Sequence, residues 1–355
     1  MKDTTIVAAS ARPLDVAMRQ SFGIAGGAQE TASNALFVVE LACGARGFGE
    51  AAPFPAFNGE TQARALADLE RAVEAIVGRD AGERIELEVC ASARCAVETA
   101  MVDGLARAQK RSLRALFGGA EEQLVTDVTI VTGTVEEAAR DARAFPAFRT
   151  LKIKVGGRDV DHDVARILAV RAARPEAELM LDANGGFRVD EAVRLAKELA
   201  RHDVALTQFE QPIAPGDWEA LAEVRAKTGL RIALDESITR ASDVVEAARR
   251  GAADAVNMKI MKSGVHEAVA IARAAEKAGL ERMVGGLVET RLAMGTSASI
   301  AAGLGGFRIV DLDTPLFLAG DPFEGGFVYD GDRVDLRPIA EGHGCVPTPP
   351  SSACR

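Results

Sequence analysis

The sequence holds 355 residues, 48% of them hydrophobic and 26% charged, with a formal net charge of −10 at pH 7. That is ample apolar material for a large core, and the negative balance argues against nucleic acid or an anionic membrane as partner, since each calls for a basic patch. No apolar run approaches the ~20 residues of a membrane span, and the five cysteines (Cys43, Cys90, Cys95, Cys345, Cys354) contain no C-x-x-C pair, so neither a disulfide framework nor a cysteine-based zinc site is expected.

The opening MKDTTIVAAS lacks the apolar centre of a secretory signal, which predicts a cytoplasmic protein. Residues 1–60 then alternate apolar and polar side chains in runs such as TTIVAAS and ALFVVELACGARGFGEAAPF, with glycines between them, the pattern of an antiparallel meander. Across 61–117, ETQARALADLERAVEAIVG and ASARCAVETAMVDGLARAQK repeat Ala, Leu and Val at i, i+3, i+4, which predicts two helices. From about residue 124 short β-branched runs alternate with Ala/Arg/Glu-rich helical stretches. Eight strands are predicted: LVTDVTIV (124–131), TLKIKVG (150–156), ELMLDAN (178–184), ALTQFEQP (205–212), RIALDES (231–237), AVNMKIM (255–261), RMVGGLVE (282–289) and FRIVDLD (307–313). Eight strand–helix units define an α/β chain with a (β/α)8 TIM barrel. A doubly wound sheet would need a Gly-rich first turn such as G-x-G-x-x-G, which is missing. The closing EGHGCVPTPPSSACR reads as a loose tail.

Charged residues, with one amide among them, stand where these apolar strands end: Lys152 and Lys154, Asp182 and the amide Asn184, Glu210, Asp235 and Glu236, Lys259, then Asp311 and Asp313. One such position per unit puts them on one rim, the rim that carries the active site in this fold. Any one of Asp182, Glu210 and Asp235 alone reads equally well as a helix cap or an arginine partner. Three from consecutive strands should converge within a few ångströms, and a hard divalent cation, Mg²⁺, relieves their repulsion. Lys152 and Lys154 share a strand face, and Lys259 approaches from across the barrel mouth. Burial, a neighbouring lysine and a bound cation should lower a lysine's pKa toward neutrality. Two bases facing each other across a metal that binds a substrate carboxylate predict proton removal and return at the adjacent carbon: racemisation or epimerisation.

In LKIKVGG, LDANGGF, FEQP, LDES and NMKIMKSG the chain resembles the enolase superfamily and its muconate-lactonising-enzyme subgroup. The mandelate-racemase branch would carry a histidine near the end of the seventh strand, whereas His162, His202, His266 and His343 lie elsewhere. IVDLDTP, with Asp311 and Asp313 as D-x-D, is similar to the dipeptide epimerases. The resemblance implies a modified barrel (119–320) under an N-terminal α+β capping domain (1–118), with 321–355 returning to the cap before the tail. It implies Lys154 and Lys259 as the acid/base pair and Lys152 as an electrostatic helper. Asp182, Glu210 and Asp235 become the Mg²⁺ ligands, with Asn184 and Glu236 supporting them, while Asp311 and Asp313 hold the ammonium of a dipeptide and Thr129 also faces the substrate. Specificity is expected from two cap loops, 21–30 and 53–60. The first has Gly26 and Gly27 where Ala-Glu epimerases carry an arginine, and the second has Phe54 and Phe57, which favours a small or apolar second residue. Gly286 stands where relatives often have serine. The expected reaction inverts the α-carbon of the C-terminal residue of an L-Xaa-L-Xaa dipeptide. A cycloisomerase, an o-succinylbenzoate synthase and a non-catalytic metal- and peptide-binding protein stay open as alternatives, as does a homo-oligomeric state.

Overall fold

In the computed structural model, which describes residues 2–348, the chain opens as a three-stranded antiparallel sheet: β1 (Ile6–Ile24), β2 (Gly27–Leu41) and β3 (Arg46–Ala51). Alternation along β2 separates two cores. Phe37, Val39 and Leu41 pack on the helices Gln62–Ile76 and Ala91–Ala108, while Leu36 and Val38 meet Leu292, Phe323 and Cys345 from the other end of the chain. The second helix lies directly on β3: a Cβ at Gly49 would stand 1.9 Å from the Ala96 carbonyl oxygen, so only glycine permits this approach.

The run 124–131, predicted as one strand, is two. Its first half, β4 (Gln123–Val125), is drawn into a small antiparallel sheet with β14 (Val328–Asp330) and β15 (Arg333–Asp335). Its second half, β5 (Val128–Ile130), is the first strand of an eight-stranded parallel sheet. The others follow in chain order: β6 (Thr150–Lys154), β7 (Glu178–Asp182), β8 (Gln208–Glu210), β9 (Ile232–Leu234), β10 (Ala255–Met258), β11 (Glu281–Val284) and β12 (Phe307–Val310). The ladder runs in order from β5 to β12, with one register shift between β11 and β12 at Arg282/Met283, and the first and last strands meet irregularly. The Asp127 N–H donates to the Val310 carbonyl (2.9 Å), the Leu312 N–H to Thr126 Oγ1 (2.9 Å) and the Thr129 N–H to Asp313 Oδ2 (2.6 Å). This seam is partly made of side chains, and it passes beside the rim charges. No helix among the described residues is long and apolar enough to cross a membrane.

One buried carboxylate ties cap to barrel. Glu50 on β3 accepts the Thr290 and Ala293 N–H groups (2.9 and 3.2 Å), the Thr290 hydroxyl (2.5 Å) and Asn34 Nδ2 (2.7 Å). It thereby supplies negative charge and acceptors to the N-terminus of the barrel helix Arg291–Leu304.

The predicted loose tail is ordered through residue 348, and the rest of it, with Cys354, lies outside the described residues. Cys345–Pro347 (β16) pairs antiparallel with Phe323–Gly325 (β13), and His343 and Cys345 are fully buried against the cap. Turn composition suggested disorder, but the backbone gains a strand partner and an apolar surface. His343 Nε2 donates to the Phe48 carbonyl (3.0 Å) and Nδ1 accepts the Cys345 N–H (3.1 Å), a neutral tautomer. Burial holds this imidazole below its ordinary value of 6.5. Its contribution to stability is therefore fully present above about pH 6.5 and is lost as the pH falls below it, where the unfolded chain takes up a proton that the folded one refuses. The melting temperature should fall more steeply with acid for the wild type than for His343→Gln, and equal slopes would remove His343 as a cause.

Candidate active site

Strand register lines up the rim. Lys154 lies beside Asp182, Asp182 beside Glu210, and Glu210 beside Ala233, two residues before Asp235. The backbone under the first of these is pinned by Arg166, buried on the helix Val160–Ala173, whose Nη1 and Nη2 donate to the carbonyls of Lys154 (2.5 Å) and Val131 (2.6 Å). Two non-glycine residues just past the acidic positions, Asn184 (φ +43°) and Gln211 (φ +34°), adopt the left-handed region. Gln211 repays that strain: its Oε1 accepts the N–H groups of Asp235 (3.0 Å) and Ser237 (3.2 Å), orienting the end of β9.

All three lysines are buried and paired. Lys154 Nζ donates to Asp182 Oδ2 (2.5 Å) and Asn184 Oδ1 (3.3 Å), Lys152 to Asp311, and Lys259 Nζ lies 2.7 Å from Asp235 Oδ2. Lys152 is also 3.8 Å from Asp182 and 3.7 Å from Glu210. The expected drop in lysine pKa is not what this charge distribution produces. Burial does work against the ammonium forms, but Asp311 and Glu210 around Lys152, and Asp235 and Glu210 around Lys259, outweigh it and hold both above the ordinary lysine range.

The carboxylates divide by partner. Burial opposes ionisation of Asp235, yet Lys259 and Lys262 keep it well below the usual carboxylate range. Burial and then Asp182 push Glu210 up to about 7, and burial with Asp235 pushes Glu236 up to about 8. The three predicted metal ligands do not form a tight cluster; Lys154 draws Asp182 one way, and Lys259 and Lys262 draw Asp235 another. The acidic group whose oxygens all lie within 4.8 Å of one another, among the described residues, is instead Asp127, Asp311 and Asp313 at the seam.

The residues fit a magnesium ion nonetheless. Their donors are hard oxygens on adjacent strands, and Glu210 Oε2 is buried with no hydrogen-bond donor while its Oε1 is held by Asn257 Nδ2 (2.6 Å). A cation beside it would give this oxygen a closer partner than Lys152 Nζ, which stands 3.7 Å away.

The cap covers much of this rim. Phe22, Ile24, Phe54 and Phe57 from the cap, with Leu287 from the barrel, roof the chamber floored by Lys152, Lys154, Lys259, Asp311 and Asp313, leaving a void of about 20 Å³. The Phe57 ring lies 5.2 Å over Lys259 Nζ. Thr129 also lines this chamber, with its N–H spent on Asp313. Gly27 does not: it borders an adjoining cleft of about 410 Å³ that runs from Ile24 past Thr132 and Gly133 to Arg158 and His162. The segment 21–30, expected as a loop, is the end of the β1–β2 hairpin with Ala25 and Gly26 at its tip. A Cβ at Gly26 would meet the Ala56 carbonyl oxygen at 2.7 Å, so the tip is seated on the short helix Pro55–Asn58 of the second cap loop. A Cβ at Gly286 would meet Met294 Cε at 2.3 Å and Glu289 Oε1 at 2.9 Å, so a serine there requires these side chains to shift.

Sequence reasoning passed over four residues. Lys262 reaches Asp235 Oδ1 (2.7 Å) because Ile260–Ser263 forms a single helical turn that swings it back; the signal was its place in NMKIMKSG. Asn257 positions Glu210, again from that run. Glu289 is fully buried behind Gly286, pushed up to about 8 chiefly by burial, and Asp127 lies beneath Asp311. Neither of these last two carried a spacing signal.

A capped parallel barrel with lysines on opposing walls and a rank of carboxylates between them is the architecture of the enolase superfamily. Residues 134–350 match the enolase C-terminal domain-like family model. The aromatic dipeptide epimerase of Herpetosiphon aurantiacus is 42% identical over 96% of this chain and 98% of its own length. A mandelate racemase/muconate lactonizing enzyme structure from Roseiflexus sp. superposes with a TM-score of 0.93 at 46% identity, covering 98% of this chain and 99% of that one. The dipeptide epimerase of Enterococcus faecalis, solved with Mg and L-Leu-L-Tyr, gives 0.90 at 31% identity over 96% and 99%. The chain belongs to the dipeptide epimerase family of the enolase superfamily.

Proposed function

We propose that the protein is a Mg²⁺-dependent dipeptide epimerase that inverts the α-carbon of the C-terminal residue of an L-Xaa-L-Xaa dipeptide with an apolar side chain. The observation that carries this reading is that one chamber has Lys154, at the end of β6, and Lys259, just past the end of β10, together with the Asp311–Asp313 pair. Magnesium, when bound by Asp182, Glu210 and Asp235, supplies positive charge for the substrate carboxylate. One lysine, as the neutral amine, takes the α-proton and becomes an ammonium, while the other, as an ammonium, delivers its proton to the opposite face and becomes the amine; each Nζ is oriented by its carboxylate, Asp182 or Asp235. Asp311 and Asp313 receive the dipeptide ammonium, a cation that cycloisomerase and synthase substrates lack. The apolar roof excludes water and matches the aromatic and hydrophobic specificities in the names of similar enzymes. A cytoplasmic setting is supported by Cys43, Cys90, Cys95 and Cys345 being free thiols.

Incubation with Mg²⁺ in D₂O and a library of L-Ala-L-Xaa and L-Xaa-L-Ala dipeptides tests the reading by mass spectrometry. A one-mass-unit gain with loss of optical activity, concentrated on apolar second residues, is expected. No exchange across the library with Mg²⁺ bound would transfer the assignment to cycloisomerase or synthase chemistry. Phe57→Ala should lower kcat/KM for apolar dipeptides about tenfold, by removing a wall and the ring over Lys259; unchanged initial rates would take Phe57 out of the site.

A further inference from the structure

The acidic cluster at the seam contains one member with no assigned work. Asp127 is two residues before Thr129, so the two side chains share the inward strand face. Thr129 lines the upper chamber, and Asp127 sits one layer below it, where a separate vestibule of about 600 Å³ opens from the lower mouth of the barrel. It is 3% exposed, its N–H is spent on Val310, and neither carboxyl oxygen has a hydrogen-bond partner in the protein. Asp313 is in the complementary position: Oδ2 accepts the Thr129 N–H, while Oδ1 is buried and without a donor. Oxygens of Asp127, Asp311 and Asp313 lie within 4.8 Å of one another, and Lys152, already paired with Asp311, is the cation against them.

Charge decides how such a group can persist. Once a dipeptide ammonium is present, it and Lys152 balance Asp311 and Asp313; a third ionised carboxylate would stand uncompensated in the interior. Burial, with Asp311, Asp313 and Glu210 adding to it against the opposing pull of Lys152, indeed drives the Asp127 carboxyl well above the usual range. We propose that Asp127 is a proton-bearing floor of the ammonium site, its carboxyl O–H donating to Asp313 Oδ1 and so holding Asp313 ionised and aimed at the dipeptide ammonium. Asp127 is thus a positioning residue, acting through Asp313. The inference rests on the ammonium role given to Asp311 and Asp313 above.

The test compares Asp127→Asn, which keeps a donor of the same shape, with Asp127→Leu, which removes it, using wild-type holoenzyme and the best dipeptide of the library. Asp127→Leu should raise KM at least about tenfold with kcat changed far less, because a donor to a charged acceptor is lost. Asp127→Asn should raise it no more than about threefold. The infrared difference spectrum between wild type and Asp127→Asn near neutral pH should show the carbonyl stretch of a protonated carboxyl, a readout independent of turnover and of whether the leucine variant folds. Equal KM increases in the two variants, or no protonated-carboxyl band, would overturn the proposal by making Asp127 an ionised group. A second equivalent of bound Mg²⁺ lost in Asp127→Asn would overturn it by making the cluster a metal site. If the wild type exchanges no dipeptide at all, the epimerase reading fails, and the infrared band still decides the state of Asp127.

Discussion

Lys259→Ala should lose epimerisation by about 10²–10⁴-fold in kcat, the span set by removing a positioned acid/base group. The lysine lies across the mouth from Lys154 and directly under Phe57, and Lys262, which shares Asp235 with it, is committed to that carboxylate and to the carbonyls of Asp235 and Asn257. Asp235 keeps that second partner, so the fold should persist and the circular dichroism spectrum should match the wild type. The informative measurement is exchange rather than turnover. In D₂O the variant retains one base, Lys154, on one face, and should wash deuterium into only one of the two epimers of a dipeptide, without inverting it. Lys154→Ala should show the opposite preference. Inversion retained by either variant, or exchange of both epimers by each, would end the two-base scheme.

Asp311→Asn should lower kcat/KM by about 10²-fold, with most of the loss in KM. The carboxylate is the closest partner of Lys152 and one of the two lining the chamber that are proposed to receive the ammonium. Breaking a buried pair costs about 3–5 kcal/mol when the remaining charge has no relief, but Lys152 keeps Asp182 and Glu210 at 3.8 and 3.7 Å, so a loss of stability nearer the lower limit is expected in thermal melts. A dipeptide acetylated on its amino group separates binding from folding. The wild type should reject it, and Asp311→Asn should treat the free and acetylated dipeptides alike. A variant that still distinguishes them would remove the ammonium role from Asp311.

The barrel was legible because its strands are short β-branched runs closed by single charges, and because a parallel strand fixes which way those charges point. Lys154, Asp182, Glu210, Asp235 and Lys259 all stand on the expected rim. What one-dimensional pattern does not carry is competition among partners. Asp182 and Asp235 are each paired with a lysine, which no spacing rule anticipates, and Lys152 is paired with Asp311. Residues 124–131 look uniform, but Thr126 bonds to the segment after β12 and to Asp332, which bends the chain between two sheets. Residues 341–348 have turn composition and are held by tertiary contacts alone. Asp127 was hidden by the same bend, as an acid inside a run read as one apolar strand.

The contact between Gly26 and Ala56 makes the hairpin tip and the Pro55–Asn58 helix a single interlocked lid. For anyone retargeting the enzyme, the two segments form one exchangeable cassette. An arginine grafted alone at position 26 is pushed against a backbone carbonyl, which cannot rotate away as a side chain could. A route to acidic substrates therefore passes through paired changes, first loosening the 55–58 turn and only then adding the charge, and single-site libraries at this position will systematically undercount what the scaffold can do.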